Sequence, residues 1–294
     1  MINEYNLKIN KAIDYIEKSD DLSELNLEIL SREANLSKFH FHRVFQSVMN
    51  ETLNNYINRI KLEKAIFMIL YNKDLSITEI VHKIGFSSSS NFNKLFKRTY
   101  NFKPSDLRKN EFDKALLKGK QIKKTTIIPD NIDYNDVRII KLPRIRVAYY
   151  RTHSGYNSDN IASNFNKIIT WAGSNNLINQ QTLFLGIPYD DNEISPVIKC
   201  RYDSAVSIPD KIKCPPDINE MIIEEGWYAA RDTSCLQEEI EASWDRYYKN
   251  YLLKNNVAAD DRPYIDIFNF DDHNSGSDNT GKLKLIHCIP IIKK

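Results

Sequence analysis

A chain of 294 residues is long for one domain and sufficient for two, each able to bury its own core. Its 41% hydrophobic and 27% charged residues, with eight glycines, exclude fibrous and low-complexity designs. The net charge of +2 conceals an asymmetry: residues 1–124 hold 22 Lys and Arg against 15 Asp and Glu, and residues 125–294 hold 19 against 24.

The N-terminal stretch MINEYNLKIN has no basic segment followed by an apolar core, so no secretory leader is expected. No uncharged apolar run approaches the roughly 18 residues needed to cross a bilayer. The chain is therefore read as cytoplasmic, with no membrane partner. Over residues 34–124 the balance reaches 18 basic against 7 acidic side chains, which suits a polyanion as well as a solvated charged face.

A repeat organises this basic part. LEILSREANLS of residues 27–37 returns fifty positions later as ITEIVHKIGFS of residues 77–87. After a one-residue slip, Phe41, Val44, Phe45, Leu53 and Tyr56 return as Phe92, Leu95, Phe96, Pro104 and Leu107. Each copy predicts a short helix that stops at Asn35 or Gly85, residues that tolerate a left-handed backbone. A second helix follows, capped by Ser37 or by a serine of 87–90.

In the second helix of the first copy, Phe41, Val44, Phe45 and Val48 fall at core spacing, which leaves Lys38, Phe39, His42, Arg43 and Gln46 on the outer face. In the second copy the core set is Phe92, Leu95 and Phe96, and the outer set is Ser89, Ser90, Asn93, Lys94 and Lys97. Donors and short polar groups on such faces suit base edges and phosphates of double-stranded DNA. Either face alone would read as ordinary exposed helix; the duplication argues for two helix-turn-helix units. Between them, residues 52–70 predict an amphipathic helix of roughly 27 Å, against about 34 Å between successive major-groove faces.

These stretches, SKFHFHRVFQ and IGFSSSSNFNKLFKRTYNFKPSDLRK, resemble the AraC/XylS family of transcription regulators over about residues 7–110. The resemblance implies an all-α domain over 1–110 with two helix-turn-helix units joined by a long helix. By position it implies DNA contacts from Phe39, His42 and Arg43 in the first unit and from Ser89, Ser90, Asn93 and Lys94 in the second. Arg43 is the candidate for base discrimination, and RNA polymerase is an implied partner.

Residues 111–134 lose the apolar pattern, carry a basic run at 118–124, and are read as a linker. Beyond them a second repeat has a period near 80: Ala148, Arg151, Phe165, Trp171 and Leu177 return as Ala229, Arg231, Trp244, Tyr251 and Val257. Each copy predicts a strand (137–150; 221–231), a helix (158–175; 237–255) and two strands (183–189 with 200–208; 264–270 with 283–290). This gives an α+β domain over 135–294 of two pseudo-twofold half-domains with a cleft between them. Cys200, Cys214, Cys235 and Cys288 form no CxxC pair, so reduced thiols are expected and neither a metal nor a cofactor.

RIRVAYYRTHSGY, GIPYDD, KCRYDSAV and GWYAARDT resemble the gyrase-inhibitor-like effector-binding domain. The resemblance implies an aromatic-walled pocket for a small-molecule effector, aromatic or cationic and amphipathic, with an acidic group inside. Tyr149, Tyr156, Trp171, Trp227, Trp244, Tyr248, Tyr251 and Phe268 are the candidate walls. Asp266 stands where the family has glutamate, and Ser234-Cys235-Leu236 replaces its usual Gly-Pro-Tyr stretch. A ligand-tuned transcription regulator is thus the leading reading, and not an enzyme. The alternatives are a small-molecule hydrolase, for which no nucleophile–His–acid motif is visible, and an architectural DNA binder with a vestigial sensor.

Overall fold

The computed structural model describes residues 2–19, 21–109, 136–153, 155–191, 194–247, 251, 262–268 and 281–292. The expected linker, 111–134, lies outside the described residues. The chain divides into two compact units, Met1–Ile127 with Asp191–Pro196, and Ile128–Asp190 with Val197–Lys294.

The first unit is helical: α1 (Ile2–Lys18), α2 (Leu27–Glu33), α3 (Lys38–Met49), α4 (Leu53–Tyr71), α5 (Ile77–Lys83) and α6 (Ser89–Tyr100), then a 3-10 turn at Pro104–Arg108. Local chemistry fixes the starts. Asn26 accepts from the N–H groups of Glu28 and Ile29 ahead of α2, Thr52 accepts from Asn55 ahead of α4, and Ser76 and Glu79 form a capping box on α5. α1 was not anticipated as an element. Its Ile9, Ala12, Ile13 and Ile16, spaced at three and four, are fully buried against Leu30, Phe41 and Phe45.

At the start of α4, Arg59 is clamped between Glu51 (2.8 Å) and Glu63 (3.1 Å), all three side chains mostly buried. The two carboxylates hold its guanidinium further into the charged form despite the opposing burial. The pair ties the turn before α4 to the helix itself.

The second unit is built on one eight-stranded sheet. Its strands are β1 (Arg138–Leu142), β2 (Ile145–Thr152), β3 (Phe184–Pro188), β4 (Tyr202–Ser207), β5 (Asn219–Ile223), β6 (Gly226–Cys235), β7 (Ile265–Phe268) and β8 (Leu283–Pro290). They run in the spatial order β1-β6-β8-β7-β3-β4-β2-β5, with every adjacent pair antiparallel.

The strands expected at 137–150 and 221–231 are each broken in two. Pro143 and Arg144 separate β1 from β2, and Glu224 and Glu225 separate β5 from β6. Proline lacks the N–H a continuing ladder needs. The break matters for shape: β1 and β2 stand first and seventh in the sheet, yet a link from Leu142 to Ile145 spans about 11 Å at most. The sheet must therefore curl until its ends approach. Leu142, Ile145, Ile223 and Tyr228 accordingly share one concave core with Val147, Tyr149, Leu185 and Ile265.

The opposite, convex face is covered by helices. α7 (Ser158–Ser174) packs on β2 and β4, burying Ile168 and Ala172 against Ala148, Phe184, Val206 and Phe268. α8 (Ile240–Tyr247), entered through a 3-10 turn at Gln237–Glu239, packs on β6 with Tyr247 against Ala229 and Ile289. The described part of the second helix is shorter than the expected 237–255, whose remainder falls largely outside the described residues.

Candidate DNA-binding faces and ligand site

The turns between α2 and α3 and between α5 and α6 are closed by the same bonds. Leu36 N–H reaches Ser31 O and Asn35 N–H reaches Arg32 O; fifty residues later Phe86 N–H reaches Val81 O and Gly85 N–H reaches His82 O. Asn35 (φ 51°) and Gly85 (φ 84°) both take the left-handed backbone, the αL helix end in which these bonds satisfy carbonyls that would otherwise be orphaned. A side chain at position 85 would also collide, since a Cβ there lies 2.6 Å from the Ser23 backbone nitrogen. Ser88 caps α6 through Asn91 N–H, whereas Ser37 sits at the cap position of α3 without a side-chain cap bond.

With Phe41 and Phe45 buried, the expected outer residues of α3 all reach the surface: Lys38, Phe39, His42, Arg43 and Gln46. Phe39 is 88% exposed, an aromatic ring with no packing role in the unit itself. Lys38 is partly committed, holding Glu28 at 2.9 Å and drawing that carboxyl below its ordinary range. On α6 Ser90, Asn93, Lys94 and Lys97 are exposed and Ser89 is half-buried. Among the described residues Arg43, Lys94 and Lys97 have no ion-pair partner.

α6 stands between two clefts. One of about 760 Å³ is lined by Asn58, Lys61, His82, Asn91, Lys94 and Arg98. The other, about 460 Å³, is lined by Thr78, Ser89, Asn93, Lys97, Lys103 and Ser105. The helix is thus a ridge bearing amides, hydroxyls and cations, flanked by recesses. That is the relief a groove of a polyanionic duplex can receive.

In the second unit, strand register sorts the candidate ligand residues by face. Gly186, Asp266 and His287 lie side by side across β3, β7 and β8, with Ser204 beyond Gly186, all on the helix-covered face. A Cβ on Gly186 would overlap the Tyr202 hydroxyl, so the glycine lets the Tyr202 ring lie across the sheet toward Phe268. Burial first, then Asp266 and Asp203, push the Tyr202 phenol well above its ordinary value, so it remains a neutral hydroxyl.

Aromatic side chains collect on both sides of this row. On the Gly186 side, Phe165 contacts Tyr202 (6.5 Å) and Phe268 (5.2 Å), and Tyr156 contacts Tyr202 (6.1 Å). On the His287 side, Trp244 lies 4.3 Å from the imidazole and 5.8 Å from Tyr264, and Tyr251 reaches Tyr247 (5.7 Å). Trp244 Nε1 donates to Asp266 Oδ2 at 3.3 Å. Of the expected walls, Tyr156, Trp244 and Phe268 therefore gather with Asp266. Tyr251 contacts Tyr247, Trp171 on α7 packs half-buried against the Ile168 and Ala172 cluster, and Trp227 is half-buried in the same cluster as Tyr264. Tyr248 lies outside the described residues.

Tyr149 is not brought together with this group. It stands opposite Ala205 on the concave face, fully buried, with the Arg151 guanidinium 5.1 Å from its ring. Alternation along β2 puts it on the far side of the sheet from Asp266.

The sequence shows no nucleophile–His–acid motif, yet the fold brings three such residues together. Asp266 Oδ1 lies 2.6 Å from His287 Nδ1, and His287 Nε2 lies 3.0 Å from Ser243 Oγ, with all three side chains essentially inaccessible. These residues sit on β7, β8 and α8, so only the register brings them together. The concave side carries a second polar system that spacing did not indicate. Arg151 grips Asp203 with two 2.7 Å bonds, Arg201 grips Asp190, and Tyr189 lies between both guanidiniums. Its one legible trace is that Arg151 and Asp203 are cross-strand partners in β2 and β4.

No helix among the described residues is long and apolar enough to cross a membrane, and no cluster of metal-ligating side chains occurs among them.

Comparison with known proteins adds two family matches. A helix-turn-helix domain model matches residues 30–110, and a GyrI-like small molecule binding domain model matches residues 135–292. Among curated proteins, the HTH-type transcriptional activator RhaS of Escherichia coli O139:H28 is 33% identical over 85 residues, 29% of this chain and 30% of RhaS. The "Probable transcription factor PqrA" of Proteus vulgaris is 29% identical over 103 residues, 35% of this chain and 84% of PqrA. The chain thus matches under a third of the length of RhaS. Among solved structures, an uncharacterized conserved protein from Listeria innocua aligns with TM-score 0.40 at 11% identity, covering 53% of this chain and 92% of that one.

Proposed function

The chain belongs to the GyrI-like small molecule binding family, behind an AraC-type DNA-binding domain of transcription regulators, and from that premise we propose that it reads specific operators and adjusts its grip in response to a small aromatic effector. We read α2–α3 and α5–α6 as two helix-turn-helix units whose second helices enter successive major grooves. α4, 19 residues and about 28 Å long, sets their spacing. In this reading α7 and α8, each with its strands, are pseudo-twofold halves around the Asp266 row. RNA polymerase is a partner on DNA, the protein works in the cytoplasm, and it turns nothing over.

The observation that carries the reading is the outer face of α3. Phe39, His42 and Arg43 are all exposed, with the ring of Phe39 turned to solvent, on a helix whose other face buries Phe41 and Phe45. A phenyl ring held out on this face can make apolar contact with a thymine methyl in the major groove. The arginine beside it can grip a guanine edge in two places.

The test is fluorescence anisotropy of the full chain on fragments of its own promoter regions, across a salt series and against an unrelated duplex. Specific binding whose logarithm falls linearly with log salt supports the proposal. Equal affinity for all duplexes overturns its operator-reading part.

A second reading has one observation in its favour, the Ser243–His287–Asp266 chain of hydrogen bonds, which has the connectivity of a hydrolytic triad. Ser243 sits within α8 and is 3% exposed, so an acyl group has no approach to its hydroxyl in this arrangement. Turnover of a chromogenic ester by the full chain, lost in Ser243→Ala, would favour the hydrolase. No turnover leaves the regulator.

A further inference from the structure

We propose that His287 occupies the place over Asp266 that a cationic ligand group would need, so that the effector of this domain is an uncharged planar aromatic and organic cations are rejected. The inference rests on the ligand-sensing reading above.

Asp266 is 1% exposed and His287 0%. A carboxylate so enclosed needs partners for its oxygens, because an isolated buried charge is strongly unfavourable. The structure supplies both from within. His287 bonds to Oδ1 at 2.6 Å and Trp244 Nε1 donates to Oδ2 at 3.3 Å. An ionised Asp266 requires the histidine to donate through Nδ1, and Ser243 then meets the other ring nitrogen at 3.0 Å. The imidazole is thus held at both nitrogens and covered on its face by Trp244 at 4.3 Å.

A ligand cation that sought the carboxylate would have to part it from His287 or Trp244. Parting it from His287 would leave an imidazole nitrogen buried without a partner, an uncompensated loss that offsets the new ion pair. An uncharged ring meets no such cost. Around the row stand half-buried rings, Trp244 and Tyr264 on the His287 side and Phe165 on the Gly186 side with Tyr202 and Tyr156 behind it. Ring stacking and area burial reward planar shape, and the cation–π attraction these rings add for a cation does not replace the desolvation cost of a fixed charge that finds the carboxylate already engaged. His287 is therefore the specificity-determining residue, and it acts by exclusion.

The experiment compares acridine with N-methylacridinium, planar fluorescent probes of nearly the same shape, in mildly alkaline buffer where acridine is uncharged. Both are titrated into the full-length wild type, His287→Gln and His287→Leu. Wild type is expected to bind acridine at least about tenfold tighter than the cation, and either variant to shift that ratio toward the cation by about tenfold or more. A wild type that prefers the cation overturns the inference, as does a ratio unchanged in both variants; either result leaves the ligand-sensing reading standing. Failure of both probes to bind any of the three proteins counts against the ligand-sensing reading itself and takes the inference with it.

Discussion

Asn35 and Gly85 stand fifty positions apart and take the same left-handed backbone, with φ of 51° and 84°, at the turn that feeds each outward-facing helix. Their environments differ. Asn35 is exposed, whereas the Gly85 carbonyl accepts a 2.8 Å bond from Lys61 and its Cα faces the loop of Asp21 and Ser23. Gly85→Ala therefore combines a left-handed alanine with a collision. It should destabilise the helical unit by roughly 2 kcal/mol or more, while Asn35→Gly stays within about 0.5 kcal/mol of wild type. Urea unfolding followed by helical circular dichroism checks both. Equal effects would mean the two turns are not held in the way described.

In the regulator reading proposed above, Arg43 on α3 suits base edges and the point charge of Lys94 on α6 suits phosphates. Arg43→Ala should cost about 1–3 kcal/mol on the preferred operator and flatten the preference at one base position. Lys94→Ala should weaken binding to all duplexes alike and lower the salt slope by about 1. A binding-site selection run on both variants separates them. Identical profiles would remove the division of labour.

Arg151 and Asp203 are fully buried and joined by two 2.7 Å bonds. Asp203→Leu leaves the guanidinium enclosed without its carboxylate and should cost roughly 3–5 kcal/mol, whereas Arg151→Met with Asp203→Leu should recover much of that loss. Thermal unfolding of the four proteins of this cycle measures the coupling. A double variant as damaged as the single would place the cost elsewhere.

His153 provides a pH dependence. Burial of its ring, then the charges of Arg151 and Arg201, lower its pKa from 6.5 to about 3. Below pH 6.5 the unfolded chain takes up a proton that the folded imidazole refuses until about pH 3, so this contribution is intact above 6.5 and is lost as pH falls through that window. The stability difference between wild type and His153→Gln should accordingly shrink on acidification across it. A difference that stays constant with pH would show that His153 titrates normally.

The helical unit was largely legible because its signals are local. Phe41 and Phe45 fix which side of α3 is buried, so Phe39, His42 and Arg43 follow from spacing alone, and Asn35 and Gly85 announce their turns. α1 was missed because one amphipathic helix without a repeat partner has no internal check. In the second unit, alternation located the strands but not their order. The face Tyr149 takes depends on register, and the Asp266–His287–Ser243 contact could not be seen because its members lie on two adjacent strands and a helix. Pro143 carried the signal that β1 and β2 are separate strands and hence that the sheet curls.

The central claim is that α3 and α6 read one side of a duplex together, and hydroxyl-radical footprinting of the full chain on an operator tests it most directly. The account predicts two protected patches on the same face, about one helical turn of 10 bp apart, both abolished when half a turn of DNA is inserted between them. A single patch, or a footprint indifferent to that insertion, would contradict it.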